Sequence, residues 1–192
     1  MNWNTGPWVK NRQPGWYSLP ANETQLGQLF FAQAYGNRYL QKVSLEPIVA
    51  DARLYFLSTN ENESEILAAI LNSSICAFFN ELAGRVSMGD GALELKVEDA
   101  RDYLQVPNYR KFSISYTEKI IQAFKPLLAR PILPVIEEIH LDDRNTLDKT
   151  ILEAMGLEPK ILLPLIYEGL TDLVRERMEL SKKRNQTRKN RS

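Results

Sequence analysis

Residues 62–84 read NESEILAAILNSSICAFFNELAG, and this stretch decides how the rest of the chain is interpreted. Its apolar residues recur at helical spacing, and glutamates crowd its start, where a helix N-terminus favours negative charge. Asn72, Ser73 and Ser74 interrupt the pattern, and they predict a kink or a restart because their side chains compete for backbone partners. Gly84 is a natural stop. The stretch therefore predicts a central helix with a break near its middle.

On the N-terminal side, short aromatic and β-branched runs dominate the sequence. Between residues 29 and 57 these runs are divided by Gly36, Asn37 and Pro47. Such runs between turn residues are typical of short antiparallel strands. Residues 1–28 contain all three tryptophans and are rich in Pro, Gly and Asn. They predict extended loop with short strands.

On the C-terminal side, the chain changes from a mixed segment to helices. Residues 85–92 form a glycine-bearing loop, and residues 93–97 alternate apolar and polar side chains as a half-buried strand does. A short helical turn at 99–103 and an extended exit at 104–107 follow. Helical patterns then cover 117–140 (interrupted near three prolines), 145–155 and 160–183.

The predicted fold class is α+β, with a β-rich N-terminal half and a central helix, followed by an all-helical C-terminal part. Three parts are expected: an α+β domain at 1–112, a helical support domain at 113–183, and a basic disordered tail at 184–192. The tail lacks apolar residues, which is the composition of disorder.

Composition narrows the class of protein. The 192 residues are 44% apolar and 25% charged, as in globular proteins, and no apolar run approaches the ~20 residues of a membrane span. The first residues lack the layout of a signal peptide, so a cytoplasmic protein without a membrane partner is expected. Cys76 is the single cysteine and His140 the single histidine. A disulfide scaffold, a multi-cysteine zinc site and a His-centred triad are therefore excluded or disfavoured.

The zero net charge conceals an uneven distribution. Residues 182–192 contain six Lys and Arg and no acid, whereas residues 61–181 contain 13 bases and 21 acids, a net charge of −8. Residues 1–60 contain five bases and three acids. When charge is segregated in this way, a neutral total is no argument against nucleic-acid binding.

Most catalytic motifs are absent from the sequence. It has no P-loop, G-x-G-x-x-G or G-x-S-x-G, and no Asn/Asp-Pro-Pro-aromatic turn of the kind that amino-methylating enzymes need. Asp90, Glu94 and Lys96 do form a D-x-x-x-E-x-K pattern, which metal-dependent nucleases use to hold a divalent cation beside an attacking water. An exposed strand face gives the same alternation, and the Asp–Glu gap is short for that pattern. No catalytic residue and no metal site is therefore assigned.

Two regions supply residues that suit DNA. The first is Asn37-Arg38-Tyr39 with Arg53: arginine can bond to guanine, asparagine to adenine, and an aromatic ring can pack on an exposed base. The alternative is core packing for Tyr39 and a solvated surface for the arginines. The second is the loop at 85–91, whose backbone amides can bind a phosphate, and the alternative is a tight turn between helix and strand. The candidate DNA contacts are Asn37, Arg38, Tyr39, Arg53, Arg85, Ser87, Gly89, Asp90, Gly91 and Lys96.

Several segments also resemble a known family when taken in order. The segments are ILNSS at 70–74, ELAGR at 81–85 and MGDGALELKV at 88–97, together with PGWYSL at 14–19, VADARLY at 49–55, LQVP at 104–107, and LD at 147–148 before LEAMGL at 152–157. The set is similar to the C-terminal part of adenine-specific DNA methylases of restriction-modification systems, including fused restriction-methylation polypeptides. The resemblance covers about residues 14–183.

This resemblance implies a target-recognition module, which contacts the duplex and helps to choose the sequence whose adenine is flipped out and methylated. The 85–91 loop and the part around 37–53 would face DNA, and the acidic 61–181 part would support them or dock on a catalytic partner. The expected partners are double-stranded DNA and a methyltransferase catalytic domain or subunit, which would bind S-adenosylmethionine. No methyltransferase activity is expected of this chain alone, whether it is a standalone specificity subunit, a split-gene remnant or a fragment. The alternatives are a metal-dependent nuclease and a protein-interaction module that does not touch DNA.

Overall fold

A computed structural model describes residues 26–50, 53–57, 60, 63–86 and 91–189 of the chain. The loop with short strands that the sequence predicts at 1–28 lies almost wholly outside the described residues. The same is true of three candidate DNA contacts, Ser87, Gly89 and Asp90.

In the part of the chain that the structure describes, six strands form two antiparallel sheets of three strands each. They are β1 (Leu26–Ala32), β2 (Ala34–Tyr35), β3 (Lys42–Val49), β4 (Leu54–Leu57), β5 (Arg85–Val86) and β6 (Leu93–Glu94). Sheet A has the order β3-β1-β4, and sheet B has the order β2-β6-β5. A single residue, Gln33, separates β1 from β2, so the chain passes directly from one sheet to the other. The β-rich N-terminal region is therefore confirmed.

Seven helices follow or interleave with the strands in the described part of the chain. They are α1 (Ser64–Leu71), α2 (Ser74–Ala83), α3 (Val97–Tyr103), α4 (Ile114–Leu128), α5 (Val135–Glu138), α6 (Asp142–Ala154) and α7 (Pro159–Lys189). The α+β class is confirmed. Among the described residues, no single helix is long and apolar enough to cross a membrane; α1 and α2 together pass that test only as a pair bent by 64°.

The break that the sequence predicts in the central helix separates α1 from α2. The Ser73 hydroxyl accepts a hydrogen bond from the Cys76 amide at 3.2 Å and so caps α2. The Asn72 amide group donates to the Ala68 and Gln41 carbonyls at 2.9 and 3.0 Å, and its oxygen accepts from the Gln41 amide at 2.8 Å. The break is therefore confirmed, and it also ties the helix pair to the strand region.

The main hydrophobic core takes residues from both halves of the chain. Leu29 of β1, Ile70 of α1, Ile120 of α4 and Leu147 of α6 all belong to one buried cluster. The boundary predicted at residue 112 therefore does not separate two cores. A second cluster joins sheet B to the last helix; its members include Tyr35, Tyr39, Leu93, Leu170 and Val174.

Three predicted boundaries are corrected by the structure. The helix α7 continues to Lys189, so residues 184–189 are helical and not a disordered tail. Lys, Arg and Gln are strong helix formers, and a packed helix extends at little cost once it is nucleated. The strand predicted at 93–97 is limited to β6, because α3 already begins at Val97. The helix predicted from residue 117 starts at Ile114, where the Ser113 hydroxyl caps it by accepting from the Tyr116 amide at 3.3 Å.

Candidate nucleic-acid interface

Sheet B places two of the predicted loops at the same end. The strands β2 and β5 both run antiparallel to β6, and Tyr35 and Val86 both lie opposite Leu93. The chain leaves β2 into a bend at residues 36 and 37, β5 ends at Val86, and residues 91 and 92 lead into β6. Residues 36–38, called here the 36–38 bend, and residues 91–92, called here the glycine loop, therefore both lie at the end of sheet B marked by Leu93.

Arg177 of α7 binds the main chain of both loops. One terminal nitrogen, Nη2, donates to the Gly36 carbonyl at 3.0 Å, and the other, Nη1, donates to the Gly91 carbonyl. The same guanidinium forms a two-point ion pair with Glu81 of α2, with Nε–Oε2 at 3.0 Å and Nη2–Oε1 at 2.7 Å. The guanidinium carbon also lies 5.8 Å from the centre of the Tyr35 ring. A single side chain thus joins the bend, the glycine loop, α2 and α7.

The Arg177–Glu81 pair lies in the interior of the protein. The two side chains are only 3% and 2% exposed. Burial raises the pKa of Glu81, although the hydrogen bonds and charge of Arg177 act in the opposite direction. Burial likewise raises the pKa of Tyr35 well above its usual value, and the nearby charge of Glu81 adds to that effect. Removing two charges from water is costly, so a buried ion pair is stable only when its other N–H donors also have acceptors. The Gly36 and Gly91 carbonyls are those acceptors for Arg177.

Gly91 lies directly against α7. Its φ of +75° belongs to the left-handed region that favours glycine, and a Cβ built at this position would lie 2.9 Å from the Ser181 Cβ and 3.3 Å from the Met178 sulfur. Lys182, Lys183 and Arg184 follow within the next turn of α7 and are exposed. The basic end of α7, defined here as residues 182–189, therefore begins beside the glycine loop.

The 36–38 bend presents two of its predicted residues to solvent. Asn37 and Arg38 are exposed, and the Asn37 carbonyl accepts from the Val135 amide at 2.8 Å, which fixes the bend against the start of α5. Tyr39 is different: it is 4% exposed, and its hydroxyl accepts from the Asn80 side-chain amide at 2.5 Å. Tyr39 is therefore a core residue that no base can reach in this structure, and core packing is the correct alternative for it.

Three other predicted residues lie toward the opposite end of sheet B. The Arg53 carbonyl accepts from the Gln33 amide at 3.1 Å, and Arg85 lies opposite Glu94 in the ladder. Lys96 is exposed and directly precedes α3. Among the described residues, the candidate DNA contacts thus lie in two groups toward opposite ends of sheet B.

This second group is surrounded by acids. Arg85 is already paired with the buried carboxylate of Asp99, with Nη2–Oδ1 at 2.5 Å. The pKa of nearby Tyr55 is raised by burial and then by the negative charges of Glu98, Glu94 and Asp99. A phosphate would be repelled by those carboxylates, so this end suits DNA less well than the end with the bend and the glycine loop.

The nuclease alternative stays a prediction. Glu94 is half-buried in β6 and Lys96 is exposed, but Asp90 lies outside the described residues. Among the residues that the structure describes, no group of three or more His, Cys, Asp or Glu side chains is placed to hold a metal ion.

Arg177 is the functional candidate that the sequence prediction missed. It lies on the same face of α7 as the buried residues Leu170, Val174 and Ser181. A charged residue at a position where the helical pattern predicts burial could therefore have identified Arg177 from the sequence. Comparisons of the chain with protein-family models, with curated proteins and with solved structures find no match in any of the three.

Proposed function

We propose that this chain is the DNA target-recognition module of an adenine-specific DNA methylase of a restriction-modification system. It would position duplex DNA for a catalytic domain that lies outside this sequence and binds S-adenosylmethionine. The observation that carries the proposal is the convergence of the 36–38 bend, the glycine loop and the basic end of α7. Two segments of the family resemblance, ELAGR and MGDGALELKV, supply Glu81 and Gly91, which are both partners of Arg177.

The two kinds of contact that DNA recognition requires are available at this end. Basic side chains bind phosphates and set the register of a protein on the duplex, whereas side chains at base edges read the sequence. Lys182, Lys183 and Arg184 are exposed and suit the first role. Asn37 and Arg38 are exposed in the neighbouring bend and have the donor groups for the second.

The groove between α4 and α6 is less suited to DNA. The shallow groove between α4 and α6, about 820 Å³ in volume, includes Glu118, Asp142, Asp143 and Glu153 among its lining residues and only one base, Lys119. This distribution agrees with the net charge of −8 over residues 61–181. Such a face suits a supporting role, or docking on a catalytic domain, because it repels the phosphate backbone.

Selection of bound duplexes from a randomised DNA pool, at fixed salt and with the full chain, tests the proposal. An enriched sequence is expected from the unmodified chain. The double variant Asn37→Ala/Arg38→Ala should lose the enrichment and keep general binding, whereas Lys119→Ala, which removes an exposed base from the acidic groove, should change neither. Binding without any enriched sequence would contradict target recognition, and no binding at all would favour a protein-interaction module.

The phosphate role of α7 has a separate measure. The triple variant Lys182→Gln/Lys183→Gln/Arg184→Gln removes three of the charges at the basic end. If each of these side chains neutralises one phosphate, the slope of log K against log salt becomes about 2.7 less steep, and affinity falls for all duplexes alike. An unchanged slope would show that the basic end does not touch the DNA backbone.

A further inference from the structure

We infer that Arg177 is a positioning residue for DNA recognition: it holds the 36–38 bend and the glycine loop at fixed positions relative to the basic end of α7. The inference rests on the proposed function and deepens it, because it assigns the geometry of the recognition surface to one buried side chain that touches no DNA itself.

The geometry of the guanidinium suits this role. All three of its nitrogens donate, and their acceptors are Glu81, the Gly36 carbonyl and the Gly91 carbonyl. A planar guanidinium with five N–H donors in fixed directions can pair with a carboxylate at two points and bind two carbonyls at the same time. A lysine at this position has one nitrogen on a flexible stem, so it cannot bind the carboxylate and both carbonyls in the same arrangement.

Both loop contacts of Arg177 are made to backbone carbonyls, so they constrain the main chain of the loops and not the loop side chains. A bond to the Gly36 carbonyl fixes the peptide that leads into Asn37 and Arg38, whatever their side chains are. A bond to the Gly91 carbonyl fixes the return of the glycine loop into β6. Arg177 therefore sets the path of the main chain and leaves the exposed side chains free to vary with the DNA target.

The position of Arg177 along α7 links these loops to the phosphate contacts. Ser181, which touches the Gly91 position, is one helical turn further along α7, and the exposed bases begin at Lys182. Residues that read bases and residues that bind phosphates are thus attached to one rigid helix. Replacement of the guanidinium should let the loops move relative to the basic end of α7 and reduce discrimination between DNA sequences. The sequence-independent affinity for DNA should remain.

Arg144 supplies a matched control for this experiment. It is also 3% exposed and pairs with a buried acid, Glu138, at 3.0 Å, and it also donates to a backbone carbonyl, that of Asn72. Its guanidinium binds Glu138 in α5 and the Asn72 carbonyl in the α1–α2 break, and its bonds are not made to the main chain of the bend or of the glycine loop. Arg177→Lys and Arg144→Lys therefore each keep the charge and lose a buried guanidinium, but only the first releases the loops.

The test compares affinity for the selected duplex with affinity for a scrambled duplex, at fixed salt and below the unfolding midpoint of every variant. Arg177→Lys should lower this ratio about tenfold or more and leave the scrambled-duplex affinity unchanged, and Arg144→Lys should leave the ratio intact. An unchanged ratio in Arg177→Lys, or an equal fall in both variants, would overturn the inference. If Arg177→Lys does not fold, Glu81→Gln takes its place, because it weakens the pair and keeps both carbonyl contacts available; it should lower the ratio by less.

Hydrogen exchange separates this inference from the proposed function. The amides of residues 36–38 and 91–93 should exchange faster in Arg177→Lys than in Arg144→Lys, and this readout needs no DNA. If the unmodified chain selects no sequence, the proposed function fails. In that case equal exchange in the two variants would also refute the positioning role, whereas faster exchange in Arg177→Lys would keep Arg177 as the residue that orders these loops.

Discussion

Replacement of Gly91 by alanine tests the contact between the glycine loop and α7, and Gly156 provides its control. The two glycines have nearly the same backbone conformation, with φ of +75° and +73°. A Cβ at Gly91 would lie 2.9 Å from the Ser181 Cβ, whereas a Cβ at Gly156 would meet nothing within 4 Å. Gly156→Ala therefore measures the cost of the left-handed conformation alone, and Gly91→Ala measures that cost together with the close approach.

The expected magnitudes follow from these two terms. An alanine in the left-handed region costs about 1–2 kcal/mol, and part of this is regained because alanine restricts the unfolded chain. Gly156→Ala should therefore lower the free energy of unfolding by about 1 kcal/mol. Forcing an extra carbon against packed atoms costs about 1–3 kcal/mol more, so Gly91→Ala should lower it by about 3 kcal/mol.

Urea unfolding, followed by circular dichroism, gives both values by linear extrapolation. A double-mutant cycle with Ser181→Gly then isolates the contact, because the cost of a helical glycine is the same in both backgrounds and cancels. The cycle should return a favourable coupling of about 1 kcal/mol or more. Equal losses in Gly91→Ala and Gly156→Ala, with no coupling to Ser181, would refute the packing of the glycine loop on α7.

Three further outcomes are expected. Tyr39→Phe should cost about 1–3 kcal/mol of stability, because it leaves the Asn80 amide group buried without its acceptor, and should leave DNA binding unchanged in the duplex selection. Burial alone would raise the pKa of Glu138, but hydrogen bonds from Arg130 and the Leu133 amide, together with the charge of Arg144, hold it below 4.5. Glu138→Gln should therefore lower the free energy of unfolding most at neutral pH, and the difference should shrink as the pH falls below 4.5 in a titrated urea series. The effect of pH on stability has the opposite sign at Asp148, because burial raises the pKa of this carboxyl above 3.8. The free energy of unfolding should fall as the pH rises from 3.8 through the raised pKa, and Asp148→Asn should remove this pH dependence.

The features that the sequence predicted correctly depend on local chemistry. The break at Asn72 and Ser73 could be predicted because their side chains bond to backbone groups within a few residues, whatever the rest of the fold does. The short strands between residues 29 and 57 could be predicted because apolar runs alternate with turn residues. In both cases the information lies in a window of a few residues.

The arrangement of the candidate site depends instead on pairing across long separations in the chain. The strands β2 and β5 contain two residues each, which is too short for a periodic pattern, so their common register opposite Leu93 could not be predicted. The helical end of α7 was missed for a different reason. Its composition is that of a disordered tail, but helix continues from a turn that tertiary packing has already formed.

The separation of the predicted residues into two groups bears on which of them would determine sequence specificity. Arg85 donates from Nη2 to the Asp99 carboxylate at 2.5 Å, and the two side chains are 60% and 3% exposed. A base contact that took this donor away would leave the Asp99 carboxylate as a buried, unpaired charge. That cost would oppose the gain from the contact, which is worth about 1–3 kcal/mol for a good bidentate pair. Arg38 is exposed in a bend whose main chain is held at two successive carbonyls, that of Gly36 by Arg177 and that of Asn37 by the Val135 amide. An adaptable side chain on a fixed backbone suits sequence discrimination, so the proposed function predicts that the 36–38 bend contributes more to the choice of DNA sequence than Arg85 does.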